Sequence, residues 1–229
     1  MKVAALWTGG KDSALACYKA IKDGHEVAHL VTFLWQTPSS AHDLDLIRLQ
    51  SEALGIPFLW FKLEKPYFEA YKEAMKTLEK EYGIQAIVTG DISYVDNFHG
   101  NWIDSVCEGT GIKVIKPLWG LNRSEILNEL LSRGFKVIFT CVKQPWFSES
   151  WLGRTIDKQS VQELGQLNER YGMDMCGEIG EYHTMTLDAP LFKHPIEISQ
   201  STKEHIGKAY VLAPTSISLA NTGGESQFN

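Results

Sequence analysis

Six residues, Thr8-Gly9-Gly10-Lys11-Asp12-Ser13, constrain this chain more than any others. They lie between Val3-Ala4-Ala5-Leu6-Trp7, an unbroken apolar run that predicts a buried strand, and Ala14-Leu15-Ala16-Cys17-Tyr18-Lys19-Ala20-Ile21, which predicts a helix. Two glycines at a strand-to-helix corner permit positive φ and close backbone approach, so successive N–H groups can turn inward around an anion. The helix dipole adds to that attraction, and Lys11 supplies a mobile positive charge. A phosphate suits such a corner. The spacing is neither Gly-x-x-x-x-Gly-Lys-Ser/Thr nor Gly-x-Gly-x-x-Gly, so the two commonest phosphate loops are excluded. The plainer alternative is a strand–turn–helix whose glycines only tighten the bend.

The same rhythm continues. Val27–Leu34, Pro57–Phe61, Ile84–Thr89, Val114-Ile115 and Val137–Cys141 predict further strands, with helical patterns between them. The alternation predicts an α/β fold: a Rossmann-like, mostly parallel sheet with helices on both faces. Sites in such sheets form outside the carboxyl ends of the strands, where Thr8–Ser13, the loop after Leu34, Gly90-Asp91 and the segment after Cys141 can converge. From about Gln144 the pattern changes. Asp157 predicts the cap of a helix running to about Tyr171, the block from Cys176 to Phe192 holds a segment that can alternate as a strand after two turn glycines, and Ile196–Ser199 and Ala209–Leu212 are expected as two further strands. The expected organisation is a nucleotide-binding domain over 1–141, a smaller C-terminal α+β domain on the acceptor side over 142–214, and a loose tail over 215–229.

An apolar content of 44% is ample for a core. The formal charge of −6 argues against nonspecific nucleic-acid binding. No apolar run approaches the roughly 20 residues of a membrane span, and a cytoplasmic protein is expected. Cys17, Cys107, Cys141 and Cys176 contain no C-x-x-C pair and no zinc framework.

Thr-Gly-Gly-Lys-Asp-Ser resembles the pyrophosphate loop of the N-type ATP pyrophosphatases, the adenine nucleotide alpha hydrolase superfamily. Further matches are Gly90-Asp91-Ile92, His99-Gly100-Asn101-Trp102, Val106-Cys107, Pro117-Leu118-Trp119, Trp151-Leu152-Gly153-Arg154 and the block from Cys176 to Phe192. Together these resemble the diphthine–ammonia ligase family and its bacterial relatives of unassigned function. The resemblance implies ATP and Mg²⁺ as cofactors, with phosphates cradled by Gly9, Gly10, Asp12 and Ser13. It also implies an AMP-forming ligase that adenylates an acceptor carboxylate and lets ammonia displace AMP. Two departures point toward the bacterial branch. His183 stands where the archaeal and eukaryotic motif has glutamate, and Gly90-Asp91-Ile92 with His99 and Trp102 replaces the usual segment after the fourth strand. The acceptor, a protein side chain or a small molecule, is therefore open, as are the ammonia source and homo-oligomerisation. Two other classes compete: a nucleotide sensor without turnover, and an ATP-dependent tRNA-modifying enzyme.

The candidate nucleotide-binding residues are Thr8, Gly9, Gly10, Lys11, Asp12, Ser13, Gly90 and Asp91, with Asp12 also the metal candidate. Lys11, Asp12, Glu178, Glu181, His183 and Arg154 are the catalytic candidates. Glu178 and Glu181 read as an acid–base or metal-associated pair, against the alternative of a solvated acidic turn. His183 reads as a base for ammonium or as a neutral hydrogen-bonding residue. Arg154 reads as a bidentate anion clamp, against packing on the nearby tryptophans or a salt bridge. Strand alternation would place Glu181 and His183 on one face and Tyr182 and Thr184 on the other.

Overall fold

The structure, a computed structural model, describes residues 1–34, 44–94 and 102–220. The expected loop after Leu34, together with His99 and Asn101, lies outside those residues, as does the end of the chain beyond 220. Strand β1 (Lys2–Leu6) is central in a parallel sheet of order β3-β2-β1-β4-β5, with β2 at Glu26–Leu34, β3 at Phe58–Lys62, β4 at Ala86–Val88 and β5 at Lys113–Ile115. Val3, Ala4 and Ala5 are buried, as a strand covered on both faces requires. Helices α1 (Lys11–Lys22), α2 (Leu44–Leu54) and α5 (Arg123–Ser132) bury their apolar stripes in one core cluster. Helices α3 (Tyr67–Tyr82) and α4 (Trp102–Cys107) cover the other face.

The chain steps from β1 to β2 on one side and reaches β4 on the other, so the strand order reverses at β1. In open sheets of this kind sites form at such a reversal, here the carboxyl ends of β1 and β4. Thr8–Lys11 leaves one strand there and Gly90 leaves the other.

The sixth strand departs from expectation. β6 (Lys136–Lys143) does not extend the parallel sheet; it pairs antiparallel with β7 (Tyr182–Asp188) and with β9 (Ala209–Leu219). With β8 (Ile196–Ile206) these form a second sheet of order β7-β6-β9-β8. An apolar run such as Val137–Cys141 signals burial on both faces but carries no mark of the sheet it enters. β8 and β9 are also longer than their apolar segments. β9 continues through Ser216–Leu219, past the onset of the expected loose tail, because Ile217 and Leu219 pack on the core while Ser216 and Ser218 face outward. Helix α6 (Lys158–Tyr171) begins where predicted, with the Asp157 carboxylate accepting from the Ser160 N–H at 2.8 Å and the Ser160 hydroxyl accepting from the Asp157 N–H. Both sheets share one core, since Val3, Leu15, Phe139, Tyr182 and Met185 belong to the same buried cluster.

Candidate active site

The corner after β1 folds into a nest built across both sheets. Gly9 has φ +79°, and Gly10, with extended φ and ψ, is the N-cap of α1 without a capping side chain. The Thr8 and Ser13 hydroxyls meet across the loop at 3.3 Å, and the Ser13 hydroxyl donates to the Gly10 carbonyl at 3.0 Å. Strand β7 forms the floor. The Lys11 N–H donates to Thr184 Oγ1 at 3.1 Å, and the Thr186 N–H donates to the Gly9 carbonyl at 2.9 Å. A Cβ on Gly10 would lie 3.2 Å from the Thr184 carbonyl oxygen, so the second glycine admits close approach of β7.

Gly90 performs the same service from the other strand. A Cβ there would stand 2.7 Å from the Asp12 carbonyl carbon and 2.9 Å from the Ser13 nitrogen, both backbone atoms of the first turn of α1. Gly90→Ala is expected to displace that turn, costing roughly 1–3 kcal/mol of stability. Thermal unfolding of the variant checks this; an unchanged Tm would mean that the turn yields freely.

Lys11 is buried beneath the loop. Its ammonium donates to Asp12 Oδ2 at 2.7 Å and to the Cys176 carbonyl, and it lies 5.1 Å from the Tyr182 ring centroid. Burial works against its charge, but Asp12, with Tyr182 and Cys176, outweighs that and holds Lys11 above its ordinary range. Burial pushes the Asp12 carboxyl up, against the opposing pull of Lys11. Asp12 Oδ1 is buried and lacks a hydrogen-bond partner among the described residues.

The late block closes over this pair. Glu181 is 2% exposed, and its two oxygens accept from the N–H groups of Asp174 and Ile179, each at 3.0 Å. It therefore organises the 174–179 loop from inside. Asp174 in turn accepts from Arg123 Nε at 2.9 Å, and Arg123 Nη2 donates to Ser93 Oγ at 2.6 Å, tying the late loop to the segment after β4. Glu178 is half-buried, and the Ile92 backbone favours its ionised form only weakly. Burial, then the negative charge of Asp12 and, more weakly, Asp174, push its carboxyl up to about 7.

Two candidates are directed elsewhere. His183 is exposed on β7, opposite Cys141, while Tyr182 and Thr184 face the loop. The expected sharing of a face by Glu181 and His183 does not occur. Glu181 precedes the strand, and the turn at Gly180, with φ +81°, sends it inward. Arg154 makes a bidentate pair with Glu163 at 2.8 and 3.0 Å and stacks 4.2 Å from the Trp151 ring. The rings of Trp151, Phe139 and Tyr182 stand between it and Lys11. Asp91 is half-buried beside Gly90.

Sequence reading missed Gln50, Asp174, Arg123 and Thr184. Gln50 had one legible signal, an amide on the otherwise apolar stripe of α2. The others act through the loop geometry and carried none.

Two family models match nearly the whole chain: the diphthamide synthase N-terminal domain over residues 1–114 and the diphthamide synthase C-terminal domain over residues 122–219. The chain belongs to the diphthine–ammonia ligase family. Similar members include the diphthine–ammonia ligase of Homo sapiens, 28% identical over 93% of this chain and 88% of that protein. The Mus musculus ligase is 27% identical over 88% of this chain and 84% of its own length. In the Schizosaccharomyces pombe ligase, 28% identical over 87% of this chain, the match spans 36% of a longer protein. Both family domains contribute to the site, since Thr8–Ser13 comes from the first and Thr184, Thr186 and the Cys176 carbonyl from the second.

Among the described residues, no group of three His, Cys, Asp or Glu is placed to hold a metal ion. No described helix is long and apolar enough to cross a membrane. Burial pushes the Cys176 thiol up to about 12, which leaves it un-ionised and a poor nucleophile near neutrality.

Proposed function

We propose that this family member is an ATP-dependent, AMP-forming ligase joining an acceptor carboxylate to ammonia or another amine. The observation that carries the reading is the nest at Thr8–Ser13, set at the reversal of strand order, with the Glu178 carboxyl beside Asp12 and Lys11. In the first step an acceptor carboxylate oxygen attacks the α-phosphorus of ATP. The bond to the β-phosphate oxygen breaks, pyrophosphate leaves and an acyl-adenylate forms. Ammonia then attacks the acyl carbon, AMP departs with the C–O bond electrons, and the surplus proton on nitrogen passes to the Glu178 carboxylate.

This chain contributes alignment and charge. Backbone N–H groups of the loop and the first turn of α1 hold the phosphates, Thr8 and Ser13 supply hydroxyls, and Lys11 offsets negative charge from below. Asp12 suits Mg²⁺, because an unpartnered carboxylate oxygen beside a phosphate nest is what a hydrated magnesium ion shares with phosphate oxygens. Bound there, the ion would neutralise phosphate charge. Glu178 is better placed than His183 to take the proton. It faces Asp12, and a carboxyl at about 7 exchanges protons readily near neutrality, whereas His183 faces outward from β7. Arg154 remains a candidate for holding the acceptor only if Glu163 releases it.

The acceptor is a carboxylate on a protein side chain or a small molecule. Supplying ATP, ammonium and fractionated protein, RNA and small-molecule extracts should give AMP and pyrophosphate in equal amounts with one fraction. ADP and orthophosphate would refute the reading. Binding of intact ATP with no turnover in any fraction would make the protein a sensor, and turnover confined to RNA would make it an RNA-modifying enzyme.

A further inference from the structure

Gln50 is fully buried in α2 and touches three different elements. Its Oε1 accepts from Trp7 Nε1 at 2.8 Å, while its Nε2 donates to the Gly9 carbonyl at 3.0 Å and to the Thr186 carbonyl at 2.8 Å. The amide has only one satisfactory orientation. An indole N–H can only donate and a carbonyl can only accept, so oxygen must face Trp7 and nitrogen must face the two carbonyls. The Gly9 carbonyl is thus held by two donors, Gln50 Nε2 and the Thr186 N–H.

That double hold has a consequence across the peptide bond. In a trans peptide the C=O and the following N–H point in opposite directions. Fixing the Gly9 carbonyl toward α2 and β7 therefore fixes the Gly10 N–H away from them. With φ +79°, Gly9 has no Cβ to oppose the arrangement, and a Cβ built there would stand 2.7 Å from Gln50 Oε1.

We infer that Gln50, acting with the Thr186 N–H, is a positioning residue that sets the Gly9–Gly10 peptide so that its N–H presents to the nucleotide phosphates. The inference rests on the nucleotide reading of the loop and adds to it a residue outside the motif. The device joins α2, β1 and β7, so the phosphate-facing donor is oriented only when both sheets are in place.

The test compares ATP with adenosine, which lacks phosphates. Gln50→Glu keeps the acceptor toward Trp7 but replaces the donor toward the Gly9 and Thr186 carbonyls. In the folded variant the Kd for ATP should rise about tenfold or more while adenosine affinity changes less than about twofold. Equal losses for both ligands would indicate a merely structural glutamine and overturn the inference, as would unchanged ATP affinity. Should Gln50→Glu not fold, the unaltered protein decides. On titration with inorganic pyrophosphate, the Gly10 amide should be among the most shifted backbone resonances. A stationary Gly10 amide, with neighbouring loop amides moving, would overturn the inference alone. Unaltered protein that binds neither ATP nor pyrophosphate would remove the nucleotide reading and this inference with it.

Discussion

Glu178→Gln is expected to lose amide formation by roughly a hundredfold to ten-thousandfold and, at the same time, to stabilise the protein above neutral pH. The two effects have one origin. Burial and the neighbouring Asp12 raise the Glu178 carboxyl from 4.5 to about 7 in the folded protein. Below 4.5 both folded and unfolded chains hold the proton, and the group adds no pH dependence. As pH rises through that window the unfolded chain releases its proton first, so stability falls. Above 7 both states are ionised and the penalty is complete. Solvent reaches this half-buried group, so the full penalty is about 1–3 kcal/mol. Glutamine keeps the size and polarity of the side chain but cannot ionise, so it escapes the penalty and cannot take a proton. Thermal unfolding at pH 4.5, 6 and 8, with single-turnover amide formation at pH 8, checks both halves. Parallel stability curves for the two proteins would contradict the electrostatic account, and retained turnover would contradict the base.

Lys11→Met should cost about 3–5 kcal/mol of unfolding free energy, because it strands the Asp12 carboxylate and the Cys176 carbonyl without their shared donor. A surface lysine would show almost none of this. Adding Asp12→Asn should recover a substantial part, since removing both charges together leaves no unpaired ion. Urea unfolding of the two single variants and the double variant forms a complete cycle. Strict additivity would show that Lys11 is not principally the partner of Asp12, and a loss below about 1 kcal/mol for Lys11→Met would show that the ion pair is readily solvated.

Local pattern carried the first half of the fold well. β1, the glycine corner and α1 follow from a strand-length apolar run, two glycines and a 3.6-residue period, all short-range signals. Asp157 likewise announced α6, because a cap and its helix are neighbours in sequence. β6 was legible as a strand but not as a member of the second sheet, since its partners on β7 and β9 lie some forty or more residues away along the chain. The site divides in the same way. Thr8–Ser13 and Gly90 could be read from their own surroundings. The inward turn of Glu181, the diversion of Arg154 to Glu163 and the reach of Gln50 to Gly9 depend on contacts between distant segments, which no spacing records.

The floor that β7 gives the Thr8–Ser13 corner ties the two halves of the chain together. Thr184 and Thr186 hold Lys11 and Gly9 from the same stretch of chain that leads back to Glu178. Exchanging the whole second half for that of a relative would therefore replace the strand that anchors the glycine corner of the first, so the two halves are expected to change only together.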